Sequence, residues 1–128
     1  MSLEINIDQR QKGVYSVMLI GRLDADTYES FRGSIGTVLL KTTKVLVLDM
    51  AKLVYISSIG LNEIFNAKKA MVKYEGSLII TNLQPQIKKV FEVIKILPKD
   101  IVFESAKEVD RYLDDVRKRE MKKNPPAD

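Results

Sequence analysis

The chain has 128 residues, 45% hydrophobic and 30% charged, with a formal net charge of +4 and neither Cys nor His. That length buries a core in one domain without disulfides or metals, and no apolar run approaches the ~18 residues that cross a membrane as a helix. Missing Cys and His remove the commonest nucleophile, the commonest general base and most zinc-ligand sets. Missing G-x-G-x-x-G and G-x-x-x-x-G-K-[ST] spacings argue against nucleotide cleavage.

Glu4 and Asp8 flank the first apolar residues, which is unlike a signal peptide, so a cytoplasmic protein is expected. Leu3, Ile5 and Ile7 alternate with polar neighbours, and Gly13 separates them from the run Val14 to Ile20. This pattern predicts two antiparallel strands in a hairpin. After Gly21, Asp26 and Glu29 have the spacing of a capping box, and Tyr28, Phe31, Ile35, Val38 and Leu39 form a helical stripe over roughly 27–40. Gly33 and Gly36 weaken that helix by about 1 kcal/mol each, which suggests close packing at those positions.

A third strand is expected over 44–49, apolar on both faces, as when helices cover both sides or the strand is central in its sheet. A short connector then holds Leu53, Val54, Tyr55 and Ile56, and a second helix starts near Ser58 and stops at Gly76 in a left-handed conformation. Ser77 to Thr81 reads as a fourth strand. Pro85 opens a third helix carrying Ile87, Val90, Phe91 and Ile94, Pro98 stops it, and a short strand follows at Ile101 to Phe103. Ser105 with Glu108 opens a last helix with the stripe Val109, Tyr112, Leu113 and Val116.

Residues 117–128 hold five basic and two acidic side chains, so three of the four net positive charges sit in that tail. The body is then close to neutral and has no phosphate-binding footprint for nucleic acid. The tail is read as the solvated end of the last helix. The expected organisation is one α/β domain over 1–116, a mixed sheet of about five strands flanked by about four helices, followed by a basic tail over 117–128.

Asp49 is read as a solvated strand end or turn cap, since a magnesium-dependent phospho-acceptor needs further carboxylates converging on one sheet edge. Asp24 is expected to bond backbone N–H groups in the turn after the second strand, with a place on a partner surface as its alternative use. No catalytic residue, metal or cofactor is expected. Ser57 and Ser58 stand at a strand-to-helix junction, where a hydroxyl can cap the helix or carry a phosphate. The residues alone leave both uses open.

Gly21-Arg22-Leu23-Asp24-Ala25-Asp26-Thr27, the strand 45–49, Ser57-Ser58-Ile59-Gly60-Leu61 and Gly76 together resemble the STAS domain of bacterial anti-sigma factor antagonists. The resemblance covers about residues 3–116. It implies a substrate rather than an enzyme: Ser58 would be phosphorylated by an anti-sigma factor serine kinase, and a serine phosphatase would reset it. Unmodified, such a protein binds the kinase and frees a sigma factor; phosphorylated, it lets go. Gly21, Asp24, Ser57, Ser58, Gly60 and Asn62 would then line the partner-binding face, with Gly60 keeping the first helical turn slim and Leu61 pointing into the core. The family pattern has an aspartate where this chain has Ser57, so Ser57 is a second candidate acceptor. A STAS scaffold that is not phosphorylated, or a transport-associated binding module, is the alternative.

Overall fold

The computed structural model describes residues 2–94, 102–103 and 111. The expected stop at Pro98, the helix from Ser105, the boundary at 116 and the tail lie outside the described residues. Strands β1 (Leu3–Gln11) and β2 (Val14–Leu23) form the antiparallel hairpin, with Leu3 opposite Gly21. Its turn is made by Gly13 at φ +76°, whose carbonyl accepts from the Lys44 N–H at 2.7 Å and the Val45 N–H at 3.1 Å. Helix α1 (Tyr28–Gly36), strand β3 (Val45–Ile56), helix α2 (Ser58–Lys73), strand β4 (Ser77–Thr81), helix α3 (Pro85–Ile94) and strand β5 (Val102–Phe103) follow.

The strands lie in the order β1-β2-β3-β4-β5, so β3 is central as its doubly apolar pattern required. Only the hairpin is antiparallel; β2, β3, β4 and β5 pair parallel. Parallel neighbours need crossovers, and α1, α2 and α3 supply them. Leu19 of β2, Leu46, Leu48 and Met50 of β3, and Leu78 and Ile80 of β4 alternate into one buried cluster with Phe31, Ile64, Met71 and Ile87 from the helices. Burying each such side chain contributes roughly 1.5–3 kcal/mol, and these contacts set where the helices lie on the sheet.

Several boundaries differ from the sequence reading, each for a physical reason. β3 runs for twelve residues, and the segment expected to be a connector is its second half. Its alternation is broken by two register shifts against β2, between Met18 and Ile20 and between Gly21 and Arg22. Such bulges scramble the period-2 pattern without ending the strand. Asp49 is therefore inside β3 and not at its end; Oδ1 accepts from the Ala51 N–H at 3.0 Å and Asn82 Nδ2 at 3.1 Å, stitching the first bulge.

α1 stops at Gly36, short of the expected residue 40, and Thr37 to Leu39 form a turn. Its N-cap residue is Thr27, with no side-chain cap bond, so the Asp26–Glu29 capping box does not form. Gly33 and Gly36 meet nothing within 4 Å at the position a Cβ would take, so close packing does not account for them. At the end of α2, Glu75 and not Gly76 takes the left-handed conformation, at φ 60°. The Gly76 N–H donates to Met71 O at 2.7 Å and the Glu75 N–H to Val72 O at 3.0 Å, closing a Schellman turn. Gly76 is needed for space instead: a Cβ there would stand 2.5 Å from Met71 Cε and 3.0 Å from the carbonyl oxygens of Thr43 and Lys44.

Gly33→Ala should raise the unfolding free energy by about 0.5–1 kcal/mol in urea denaturation, because it gains helix propensity at an open position. Gly76→Ala should lower it, and an unchanged or raised midpoint for Gly76→Ala would contradict the packing described.

Candidate functional site

β2 and β3 are parallel, so both end at the same edge of the sheet, and α1 and α2 start there. This brings the two motifs singled out in the sequence together. The Ser57 N–H donates to Leu23 O at 2.9 Å, joining the end of β2 to the start of α2. Gly60 is buried against the same carbonyl, where a Cβ would lie 2.6 Å from Leu23 O, 2.8 Å from Leu23 Cγ and 3.0 Å from Ile56 Cγ1. Gly60 thus lets α2 approach the sheet; it does not slim an exposed turn for a visitor. Leu61 is buried, as expected, and Asn62 is exposed. Gly21 has φ +113°, and a Cβ there would meet Ser2 O at 2.4 Å, so its contribution is to the pairing of β1 with β2. Gly76 belongs to the opposite end of the parallel strands, where the Ser77 N–H donates to Lys44 O at 2.9 Å.

The two serines have different surroundings. Ser57 is the N-cap of α2, with extended backbone at φ −95° and ψ 174°, and its Oγ accepts from the Gly60 N–H at 3.2 Å. Ser58 is the first residue of the helix, its side chain is exposed, and no acidic residue occupies the first turn. The hydroxyl at 57 is engaged in holding the helix start, and the one at 58 faces solvent. Around Ser58 the surface is apolar: Val54 is 53% exposed, Tyr55 43% and Ile59 41%. The bulges of β3 turn Val54 and Tyr55 outward beside the helix start, a consequence hidden from a period-2 reading of the sequence.

Asp24 knots the neighbouring turn. Its Oδ1 accepts from the Asp26 N–H at 3.0 Å, its own N–H donates to Thr27 Oγ1 at 3.0 Å, and the Thr27 hydroxyl donates to Arg22 O at 2.8 Å. Arg22 Nε lies 3.4 Å from Asp24 Oδ2, and the guanidinium stacks over Tyr55 at 4.4 Å from the ring centroid. Desolvation pushes the Asp24 carboxyl up, but the bonds from Asp26, Thr27 and Arg22, with the Arg22 charge, outweigh it and hold the group below its ordinary value.

The sequence reading missed a second polar contact. Glu63 sits on the buried face of α2 at 5% exposure and is held by Arg32 of α1 through Nη2–Oε1 at 2.5 Å and Nε–Oε2 at 3.2 Å. A carboxylate inside the apolar series Gly60, Leu61, Ile64 and Ala67 was the available signal, because a charge at a core position demands a partner. Among the described residues, no group of three Asp or Glu side chains converges as a metal ligand set, and no helix is long and apolar enough to cross a membrane.

A mixed sheet opened by an antiparallel hairpin, with a serine-capped helix packed on the end of its second strand, defines the class. The STAS domain family model matches residues 6–109, and the chain belongs to that family. Among curated relatives it is similar to BtrV of Bordetella bronchiseptica, whose name provisionally assigns it as an anti-sigma factor antagonist: 28% identity over 81 residues, covering 63% of this chain and 70% of that one. It is also similar to the anti-sigma-B factor antagonist of Listeria monocytogenes, at 24% identity over 93 residues, covering 73% and 82%. Among solved structures, the unphosphorylated anti-sigma factor antagonist SpoIIAA shares the fold at TM-score 0.69 and 20% identity, covering 89% of this chain and 98% of that one. The murine solute carrier 26 member A9 anion transporter contains the same fold at TM-score 0.67 and 21% identity, covering 81% of this chain but 18% of the transporter.

Removing the cap by Ser57→Ala should cost about 1 kcal/mol of stability in chemical denaturation, whereas Ser58→Ala should stay within about 0.5 kcal/mol of wild type. Because the folded carboxyl of Asp24 titrates below its ordinary value of 3.8, the stability it contributes is complete above that pH and is lost as pH falls through the folded value. Urea midpoints taken stepwise below pH 3.8 should fall more steeply for wild type than for Asp24→Asn. Parallel slopes would contradict the role given to this carboxylate.

Proposed function

We propose that the chain is an anti-sigma factor antagonist that binds an anti-sigma factor serine kinase and is released when Ser58 is phosphorylated. One observation carries the reading: at the junction of the two motifs, Ser57 is used as the helix cap and Ser58 is presented to solvent within an apolar surface. The names of the Bordetella and Listeria relatives support it, since the match extends over 70% and 82% of their lengths. The transporter likeness concerns 18% of a much longer chain and supports the shared fold.

In the transfer, Ser58 Oγ attacks the γ-phosphorus of ATP held by the kinase. A new O–P bond forms, the bond to the β-phosphate oxygen breaks, ADP leaves and the hydroxyl proton passes to a base on the kinase. The Ser57 oxygen is occupied with the Gly60 N–H and would have to uncap α2 to react. The added group carries about −1.5 to −2 charge at pH 7 and would have to be desolvated within the apolar contact of Val54, Tyr55 and Ile59. Each ~1.4 kcal/mol of that penalty weakens binding tenfold. A serine phosphatase would restore the binding form. No catalytic group of the chain itself is required.

With the cognate kinase and ATP, intact-mass and peptide spectra should show one added phosphate, on the peptide position of Ser58 and absent in Ser58→Ala. Ser58→Ala should bind the kinase with or without ATP, and Ser58→Asp should bind at least tenfold more weakly. If both variants bind as wild type does, the switch assignment is wrong.

A further inference from the structure

Arg22 stands beside the start of α2 on a loose tether. Its Nε reaches Asp24 Oδ2 at 3.4 Å, long against the ~2.7–2.9 Å usual for a charge-assisted bond, and its side chain is 35% exposed. Leu23, the next residue, accepts the Ser57 N–H, so Arg22 is one residue from the contact that seats α2 on β2. Neither motif offers a competing cation: no Lys or Arg occurs from Leu23 to Phe31 or from Leu53 to Ala67. Arg32, just beyond the first motif, is committed to Glu63 by two bonds.

We propose that Arg22 is the chain's own phosphate sensor: when Ser58 is phosphorylated, the guanidinium leaves Asp24 and pairs with the phosphate. The inference rests on the reading of Ser58 as the acceptor and adds what the modification does within the chain. A phosphate brings more charge than a carboxylate and three acceptor oxygens, and the planar guanidinium fork matches two of them. Asp24 is not orphaned by the move, because its Oδ1 keeps the Asp26 N–H at 3.0 Å. The stacking over Tyr55 at 4.4 Å is given up, so one face of that ring and Asp24 Oδ2 become available. Phosphorylation then alters the partner surface at Arg22, Asp24 and Tyr55 as well as at Ser58.

The test incorporates phosphoserine at position 58 during synthesis, which makes it independent of any kinase. Phosphorus NMR titration should give a second phosphate pKa lower in wild type than in Arg22→Gln by roughly half a unit or more, with Arg22→Lys between them. Equal values in wild type and Arg22→Gln overturn the proposal. A measurement that needs no substitution is the Arg22 Nε–H resonance, which should shift on going from serine to phosphoserine in the wild-type chain; an unmoved resonance overturns it equally. Loss of kinase modification with a normal titration would instead sink the antagonist reading and leave the Arg22 contact standing.

Discussion

One carbonyl group, that of Leu23, fixes the relation between the two halves of the site. It accepts the Ser57 N–H at 2.9 Å, and Gly60 packs so closely against it that a single added carbon would stand 2.6 Å away. The strand that carries Arg22 and Asp24 and the helix that carries Ser58 are thereby held as one surface. The cap from Ser57 to Gly60 acts on the same turn, and the Arg32–Glu63 pair holds α1 to α2 about one turn further along. A glycine that looks like a concession to a partner is, physically, the condition for the site to exist.

The polar groups near this joint are arranged so that few are left over. Asp24, Thr27 and Arg22 satisfy one another and the backbone of the turn, and Glu63 is buried only because Arg32 reaches it with two bonds. Breaking a buried pair of this kind by deleting one member costs several kcal/mol, since the other charge remains without compensation. What stays exposed is apolar or neutral: Val54, Tyr55, Ser58, Ile59 and Asn62. A surface of that composition binds by burial, and a phosphate introduced into it opposes burial directly. The Ser57 position matters here because the helix is capped by a neutral hydroxyl, which places no fixed charge beside the acceptor.

Much of this was legible in the chain before any coordinates. The hairpin, the order of strands and helices, the helix start at Ser58, Pro85 at the opening of α3 and the inward Leu61 follow from periodicity and end signals. The illegible parts share a cause. The second half of β3 is bulged, so its side chains do not alternate and it read as a connector; with it were lost the outward turn of Val54 and Tyr55 and the true place of Asp49. Asp26 and Glu29 have capping-box spacing, but Asp24 and Thr27 already organise that turn, and tertiary contacts displaced the local signal. Glycine also misled: Gly33 and Gly36 face open space, while Gly60 and Gly76, assigned to a partner and to a helix stop, are the two that internal packing requires.

The central claim is that the joint at Leu23 assembles the partner-binding face. Its most direct test is an amide NMR titration of the labelled, unmodified chain with its anti-sigma factor kinase. The account predicts that resonances of Asp24, Val54, Tyr55, Ser58, Ile59 and Asn62 shift or broaden together on binding, while those of the β1 edge from Glu4 to Arg10 stay in place. Perturbations confined to β1 or to α3, with the residues around Ser58 unmoved, would contradict it.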